Sequence, residues 1–312
     1  MFFINYDLGD SLAFILIRYA IVLIFFIINL ILLIFISKHK IASKNASSLI
    51  KTETCFDLIV LLCLVFSMFK EHPVFQSHDV SYVRFYCYFI FGNQLFWSML
   101  TISIYLMISL SIDRFVCIVL PFYYKRVKRI TVYFYIISSI VFGLLFGFVN
   151  LFFIKIKVIR KNETNRQLKV NYSCPLPKSV TNTIVYILTY AIGPVIVIVI
   201  LNILSIKSLV HSLKNKVNSS TNPIVFSRKK VIMRFTVAVL ITSSTYAIVL
   251  MYDMVMYLLY SMDVKLPIYE HYFYYNQFLS SSLAVINPLV YLILFKNFRN
   301  FITNCCGLLG KI

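Results

Sequence analysis

The sequence predicts an all-α membrane protein, a seven-transmembrane helix bundle with a short amphipathic helix after the seventh span. Three observations carry that prediction. Hydrophobic residues fill 60% of the 312 positions and charged residues only 13%, a composition for a chain solvated by lipid. The apolar residues gather into seven runs, each long enough to supply the ~20 residues that cross a ~30 Å hydrocarbon layer. An Asn-Pro break inside the last run is followed at once by a basic, aromatic segment suited to a membrane surface.

The runs fall roughly at residues 12–36, 49–69, 85–120, 130–154, 181–209, 231–260 and 266–295, with the amphipathic segment at roughly 296–306. No Gly/Ser linker, low-complexity tract or internal repeat interrupts them, so residues 1–312 read as a single domain. The first run is too long for a signal-peptide core and is followed by Lys38, His39 and Lys40 rather than a small-residue cleavage site, so it reads as a retained signal anchor. With the N-terminus outside, nineteen of the thirty basic residues fall on the cytoplasmic side, in the sense of the positive-inside rule. The bias is diluted by the connection between runs four and five, which carries Lys155, Lys157, Arg160, Lys161, Arg166, Lys169 and Lys178. The same connection holds the sequons at Asn162 and Asn171, usable only on the lumenal side, and these support the N-out orientation at the plasma membrane.

Polar residues inside the runs come next. Asp57 lies mid-run, where an acid costs about 3 kcal/mol on insertion scales, so it should face the bundle. Asn29, Ser103 and Asn287 are the polar residues at comparable depth, and the four form the expected intramembrane cluster, either a packing device or a site that could hold a sodium ion near Asp57. No other cofactor is expected. The five histidines are scattered without metal-ligand spacing, and no metal site is read from them. Pro288 removes an amide donor and frees a carbonyl that lipid cannot satisfy, and Asn287 is the local group able to do so. Pro194 should kink or bulge run five.

Asp113-Arg114-Phe115 closes the third run, with Pro121 and the basic cluster Lys125 to Arg129 behind it. Taken alone, this is a snorkelling arginine paired with its neighbour. In that order with Asn29, Asp57, Pro194 and Asn287-Pro288-Leu289-Val290-Tyr291, and with Phe298-Arg299 opening the amphipathic segment, the chain resembles the rhodopsin-like G-protein-coupled receptors over nearly its full length. The resemblance implies that Asp113, Arg114, Phe115, Pro288 and Tyr291 serve activation and coupling to a cytoplasmic heterotrimeric G protein, and that the bundle receives an extracellular ligand. It implies no enzymatic activity and no nucleic-acid partner. The remaining partner is the surrounding membrane lipid.

Departures from the family are equally specific. Aligned from Arg234, the sixth-span Cys-Trp-x-Pro motif is replaced by Tyr246, Ala247, Ile248 and Val249, and the only tryptophan is Trp97. Asn202 stands eight residues after Pro194, where a tyrosine is usual. The acid that restrains the arginine in many relatives is here Lys229, so no ionic lock can form and signalling without ligand is expected.

Phe96 occupies the position at which amine receptors carry an aspartate, and run seven holds no lysine for retinal. Asp253, Tyr257 and Gln277, with Phe96, are the candidate ligand-pocket residues, and a short peptide with a basic end is the favoured ligand. Aromatic stripes such as this one are more often an interfacial belt than a pocket. Only Cys87 and Cys174 fall on the outer side, and a disulfide between them would tie the basic connection to run three. Cys305 and Cys306 follow the amphipathic segment as palmitoylation candidates. Two other functions fit parts of the sequence. One is a decoy receptor that binds without coupling, suggested by the lost tryptophan; the other is a transporter or channel subunit in which Asp57 lines a path.

Overall fold

A computed structural model describes residues 8–39, 44–68, 74–77, 80–85, 89, 93–126, 129–148, 157–164, 167–173, 184, 187–214, 223–262 and 272–309. The helices are span one (Leu8–Lys38), span two (Lys44–Met68), span three (Gln94–Val119), span four (Arg129–Phe148), span five (Gly193–Lys214), span six (Pro223–Ser261) and span seven (Tyr272–Leu294), with a terminal helix at Lys296–Leu309. Among the described residues, spans one, three, four, five and six are long and apolar enough to cross a membrane. Span two is apolar but carries Lys51, Glu53 and Asp57. Span seven runs into the terminal helix across a 99° bend.

The third helix starts at Gln94, nine residues after its apolar run begins. Asn93, the residue before it, has a left-handed backbone (φ 51) and ends the approach to the bundle, a conformation asparagine adopts more readily than most residues. Upstream, residues Val80–Phe85 form a separate short helix. Span five begins with a π-helical turn at Ile187–Ile192, directly before Gly193 and Pro194. The expected distortion therefore takes the form of a widened turn ahead of the proline.

Span three is the axis of the bundle. It packs against spans two, four, five and six, and 61% of its apolar window is buried, against 22% for spans four and five and 28% for span one. The outward faces of those three spans carry Ile24, Phe134, Ile137, Ile200 and similar residues, which in a membrane meet lipid. Spans three and four approach most closely, because Gly143 and Gly147 present no side chain to span three. A Cβ on Gly143 would lie 2.6 Å from the Ile102 Cα, and one on Gly147 would lie 2.7 Å from the Ser98 Cα. Small residues four apart permit such backbone approach between membrane helices. Gln94 donates to the Gly147 carbonyl and to Ser98 Oγ, and Ser139 Oγ donates to the Tyr105 carbonyl at 3.1 Å, so polar bonds fasten the same seam at both ends.

The connections at the end opposite Arg114 add strands to the predicted helices. β1 (Val74–Ser77), β2 (Lys157–Thr164) and β3 (Gln167–Ser173) form an antiparallel sheet in the order β1-β3-β2. Asn162 pairs with Lys169, and Asn171 pairs with Gln76 on one side and Arg160 on the other. Both sequons therefore lie on paired strands.

At the Arg114 end, the terminal helix is fixed by Phe298, which is fully buried and packs on Phe35 of span one at 4.8 Å. The Arg299 guanidinium donates to the Ile293 carbonyl at 2.6 Å, covering the broken end of span seven. We expect Gly143→Ala to destabilise the purified protein by about 1 to 3 kcal/mol, the usual cost of forcing volume into a packed seam, read as a lower thermal midpoint in detergent or nanodiscs.

Candidate functional site

Pro288 sits inside span seven and cannot donate to the carbonyl four residues earlier. That carbonyl belongs to Ala284, and Asn29 of span one donates to it at 2.8 Å while also reaching the Phe25 carbonyl at 3.1 Å. The sequence pointed to Asn287 for this task. Asn287 instead turns toward span two, where its Nδ2 donates to Glu53 Oε1 at 2.9 Å. The local candidate is displaced because an amide on the neighbouring span can approach the freed carbonyl from the side.

The four predicted cluster residues are buried, each 2% exposed or less. Ser103 Oγ donates to Asp57 Oδ1 at 2.6 Å, tying span three to span two. The Tyr246 hydroxyl from span six lies 3.4 Å from the same Ser103 oxygen. Asn29 serves the backbone of span seven, and its bonds do not include Asp57. Sequence reasoning passed over Glu53, which is 1% exposed. The signal was available, since Glu53 lies four residues before Asp57 and hence on the same helix face.

Asp113 and Arg114 are likewise buried, with Arg114 2% exposed, so the arginine does not snorkel. Its Nε donates to Asp113 Oδ2 at 3.0 Å, its Nη2 pairs with the same oxygen, and Nη2 donates to the Tyr124 hydroxyl at 3.1 Å. Tyr124 is returned beneath the arginine by the short helix Pro121–Arg126. Phe115 is half-buried. The remaining face of the guanidinium is covered by span six, where the Phe235 ring lies 4.6 Å from Cζ. Phe235 in turn stacks on Tyr291 at 6.2 Å with the rings 12° from parallel, and Phe295 packs against both. Lys229 lies on span six in a stretch whose side chains fall outside the described residues.

Span six is also clamped to span five. Asn202 Nδ2 donates to Ser243 Oγ at 2.9 Å and to Ser244 Oγ at 3.2 Å, and Asn202 Oδ1 lies 3.1 Å from Ser243 Oγ. The asparagine that departs from the family pattern thus has its partner on the span that has lost its own switch residues.

Toward the sheet end, Phe96 and Trp97 are buried and meet edge to face at 5.1 Å, and Trp97 meets Tyr190 at 5.9 Å. Asp253 is 1% exposed and close enough to Tyr190 to act on it electrostatically. It points into the bundle. Tyr257 packs on the core. A separate apolar cavity of ≈ 430 Å³ lies between spans five and six, lined by Val195, Ile196, Val199, Ile200 and Met251 among others. Ile196 and Ile200 are half exposed, so this cavity opens toward lipid. The Gln277 side chain and both Cys87 and Cys174 lie outside the described residues, as do the side chains of Asn162, Asn171, Cys305 and Cys306. Pro194 is buried. No group of three or more metal-ligating side chains occurs among the described residues.

A multi-span helical bundle with a buried Asp-Arg pair facing spans six and seven is the architecture of a membrane signalling receptor. A family model described as 7 transmembrane receptor (rhodopsin family) matches residues 28–291, and the chain belongs to that family. No curated protein matches it. The matched region takes in every polar cluster described above and ends at Tyr291. As a multi-pass membrane protein of a receptor family, it serves signalling.

Replacing Asn202 by leucine should cost about 0.6 to 1.7 kcal/mol, the range for interhelical hydrogen bonds in membranes. The check is a double-mutant cycle with Ser243→Ala, in which the second substitution costs little once Asn202 is gone.

Proposed function

We propose that this receptor transmits an extracellular, peptide-like signal to a heterotrimeric G protein on the cytoplasmic face, with its N-terminus outside the plasma membrane. The observation that carries this reading is Arg114, buried and enclosed by Asp113, Tyr124 and, from span six, Phe235. Outward motion of span six would unstack Phe235 from Tyr291 and uncover the guanidinium for the C-terminal helix of an α subunit. The restraint is aromatic rather than ionic. A desolvated cation–π contact holds by about 0.5 to 2 kcal/mol, which leaves a shallow barrier and signalling in the absence of ligand.

Ligand-free nucleotide exchange in membranes tests this directly. Phe235→Ala should raise the basal rate roughly 5- to 30-fold, the factor that 1 to 2 kcal/mol corresponds to, and Arg114→Ala should abolish it. If both variants exchange at the wild-type rate, the protein binds without coupling and the decoy reading takes its place. Tyr291→Phe separates the two states further. The Tyr291 hydroxyl has no hydrogen-bond partner among the described residues, so its removal should leave the thermal midpoint unchanged while altering the ligand-stimulated rate.

Asp253 supports a ligand with a basic group. It is an acid buried at the sheet end within electrostatic reach of Tyr190, and its negative charge would attract a cationic group of the ligand. The N-out orientation is supported by the sequons on β2 and β3. In mammalian cells, Asn162→Gln and Asn171→Gln should each abolish one glycosidase-sensitive mobility step; a chain insensitive to glycosidase would remove that support. Cys87–Cys174 bonding and acylation of Cys305 and Cys306 belong to the same proposed topology.

A further inference from the structure

The sheet opposite the Arg114 end separates its residues by chemistry, and a bulge completes the separation. Directly opposed residues of an antiparallel pair share a face, and faces alternate along a strand. On the central strand β3, Gln167, Lys169, Asn171 and Ser173 therefore fall on one face, and Leu168, Val170 and Tyr172 on the other. Through the register, Lys157 joins the first face opposite Ser173, and Arg160 joins it opposite Asn171. Lys157 and Arg160 are three apart, so uninterrupted alternation would put them on opposite faces. The register shift between Val158 and Arg160 brings Arg160 across.

The two resulting faces are unlike. Phe75, Tyr172 and Val158 share one row of the second face, and Val170 and Leu168 continue it. Glu163, the one acid in the three strands, falls there too, opposite Leu168. The first face holds Lys157, Arg160 and Lys169 with no acid, and Val74 is the one apolar residue among its paired positions. Antiparallel sheets turn the apolar face to the protein and the polar face to water, so the three cations belong to the outer surface. Their rows lie two residues apart, about 7 Å per step, which makes a line of positive charge on the order of 14 Å long.

The shape and chemistry of that line select the partner. Binding to a folded protein gathers its energy in aromatic and arginine anchors seated in pockets, and this face carries no aromatic residue. A line of cations on a flat polar face suits an extended polymer with an anion at each step. Anionic lipid is concentrated in the cytoplasmic leaflet, across the membrane from the sheet when the N-terminus is outside.

We propose that Lys157, Arg160 and Lys169 form a binding face for a sulfated polysaccharide at the cell surface, and that N-linked glycans at Asn162 and Asn171 close it. Asn171 is directly opposite Arg160, and Asn162 directly opposite Lys169, on that same face. Each glycan would therefore stand beside one of the cations. Such a face serves tethering rather than signal reception, and its access to the polysaccharide rests on the proposed N-out topology.

The test uses the full chain carrying Asn162→Gln and Asn171→Gln in nanodiscs of zwitterionic lipid, with a fluorescent heparin hexasaccharide as the probe. Affinity should fall as sodium chloride rises, since exposed charges are screened. Arg160→Gln should weaken binding about three- to fivefold, and Lys157→Gln, Arg160→Gln and Lys169→Gln together about tenfold or more, whereas Lys161→Gln, the same charge removed from the other face, should change it by less than about twofold. Arg160→Lys should retain most of the affinity. The chain with both natural asparagines, glycosylated in mammalian cells, should lose binding until a glycosidase is applied. No binding by the glycan-free chain, or equal losses from Arg160→Gln and Lys161→Gln, overturns the face. A glutamate-rich peptide of equal charge that binds more tightly than the hexasaccharide overturns the choice of partner and assigns the face to an acidic protein segment. A glycosylated chain that binds as tightly as the glycan-free one overturns the closure. Binding in nanodiscs with none on intact cells upholds the face and overturns the N-out topology instead.

Discussion

The bundle depends on an amide that is not there. Pro288 leaves the Ala284 carbonyl without its helical partner in a medium that offers no water, and Asn29 supplies the missing donor from span one. That one bond has two consequences. It ties the first and seventh spans side by side, so the terminal helix can turn through 99° and seat Phe298 against Phe35. It also releases Asn287 from duty at the proline, and the released amide reaches Glu53. The centre of the molecule is thus wired outward from a proline, through spans one, seven and two, to Asp57 and Ser103 on span three.

Span six meets that wiring through Tyr246 and Ser103, and its other attachments reach spans five, three and seven. Tryptophan is missing from it and its one proline, Pro223, is its first residue, yet it is held at three heights. The Asn202 and Ser243 clamp faces span five, Tyr246 approaches Ser103, and Phe235 covers Arg114. None of the three contacts is an ion pair. Each is worth on the order of 1 kcal/mol by the usual ranges for interhelical hydrogen bonds and cation–π contacts, so no one of them dominates the attachment of span six. A charged latch would have broken all at once and would have required a buried partner for Arg114 that Lys229 cannot be.

Much of this was legible in the sequence, for identifiable reasons. Hydropathy marks spans because lipid imposes a length on every helix, and the match between Asp57 and Ser103 could be read because both must face inward at one depth. Glu53 shares a helix face with Asp57 by its spacing of four, but it lies near the start of its apolar run, at a depth where an acid can equally reach water. The sheet was missed because charged residues crowd β2 and β3 and weaken the alternation that marks a strand. The Phe235 contact could not be found at all from spacing: phenylalanine is common in this chain, and only the packing of spans three, six and seven singles one out.

The same geometry bears on direction. Glu53 lies one turn from Asp57 toward the Arg114 end, and the Tyr291 ring is held between the electrostatic reach of Glu53 and that of Arg114. Tyr291 thus sits between the carboxylates and the arginine. Tyr291 is also the ring on which Phe235 stacks. The polar core and span six therefore both border that one side chain. Span seven thus carries both Asn287, which joins the polar core, and Tyr291, which joins the aromatic cluster at Arg114.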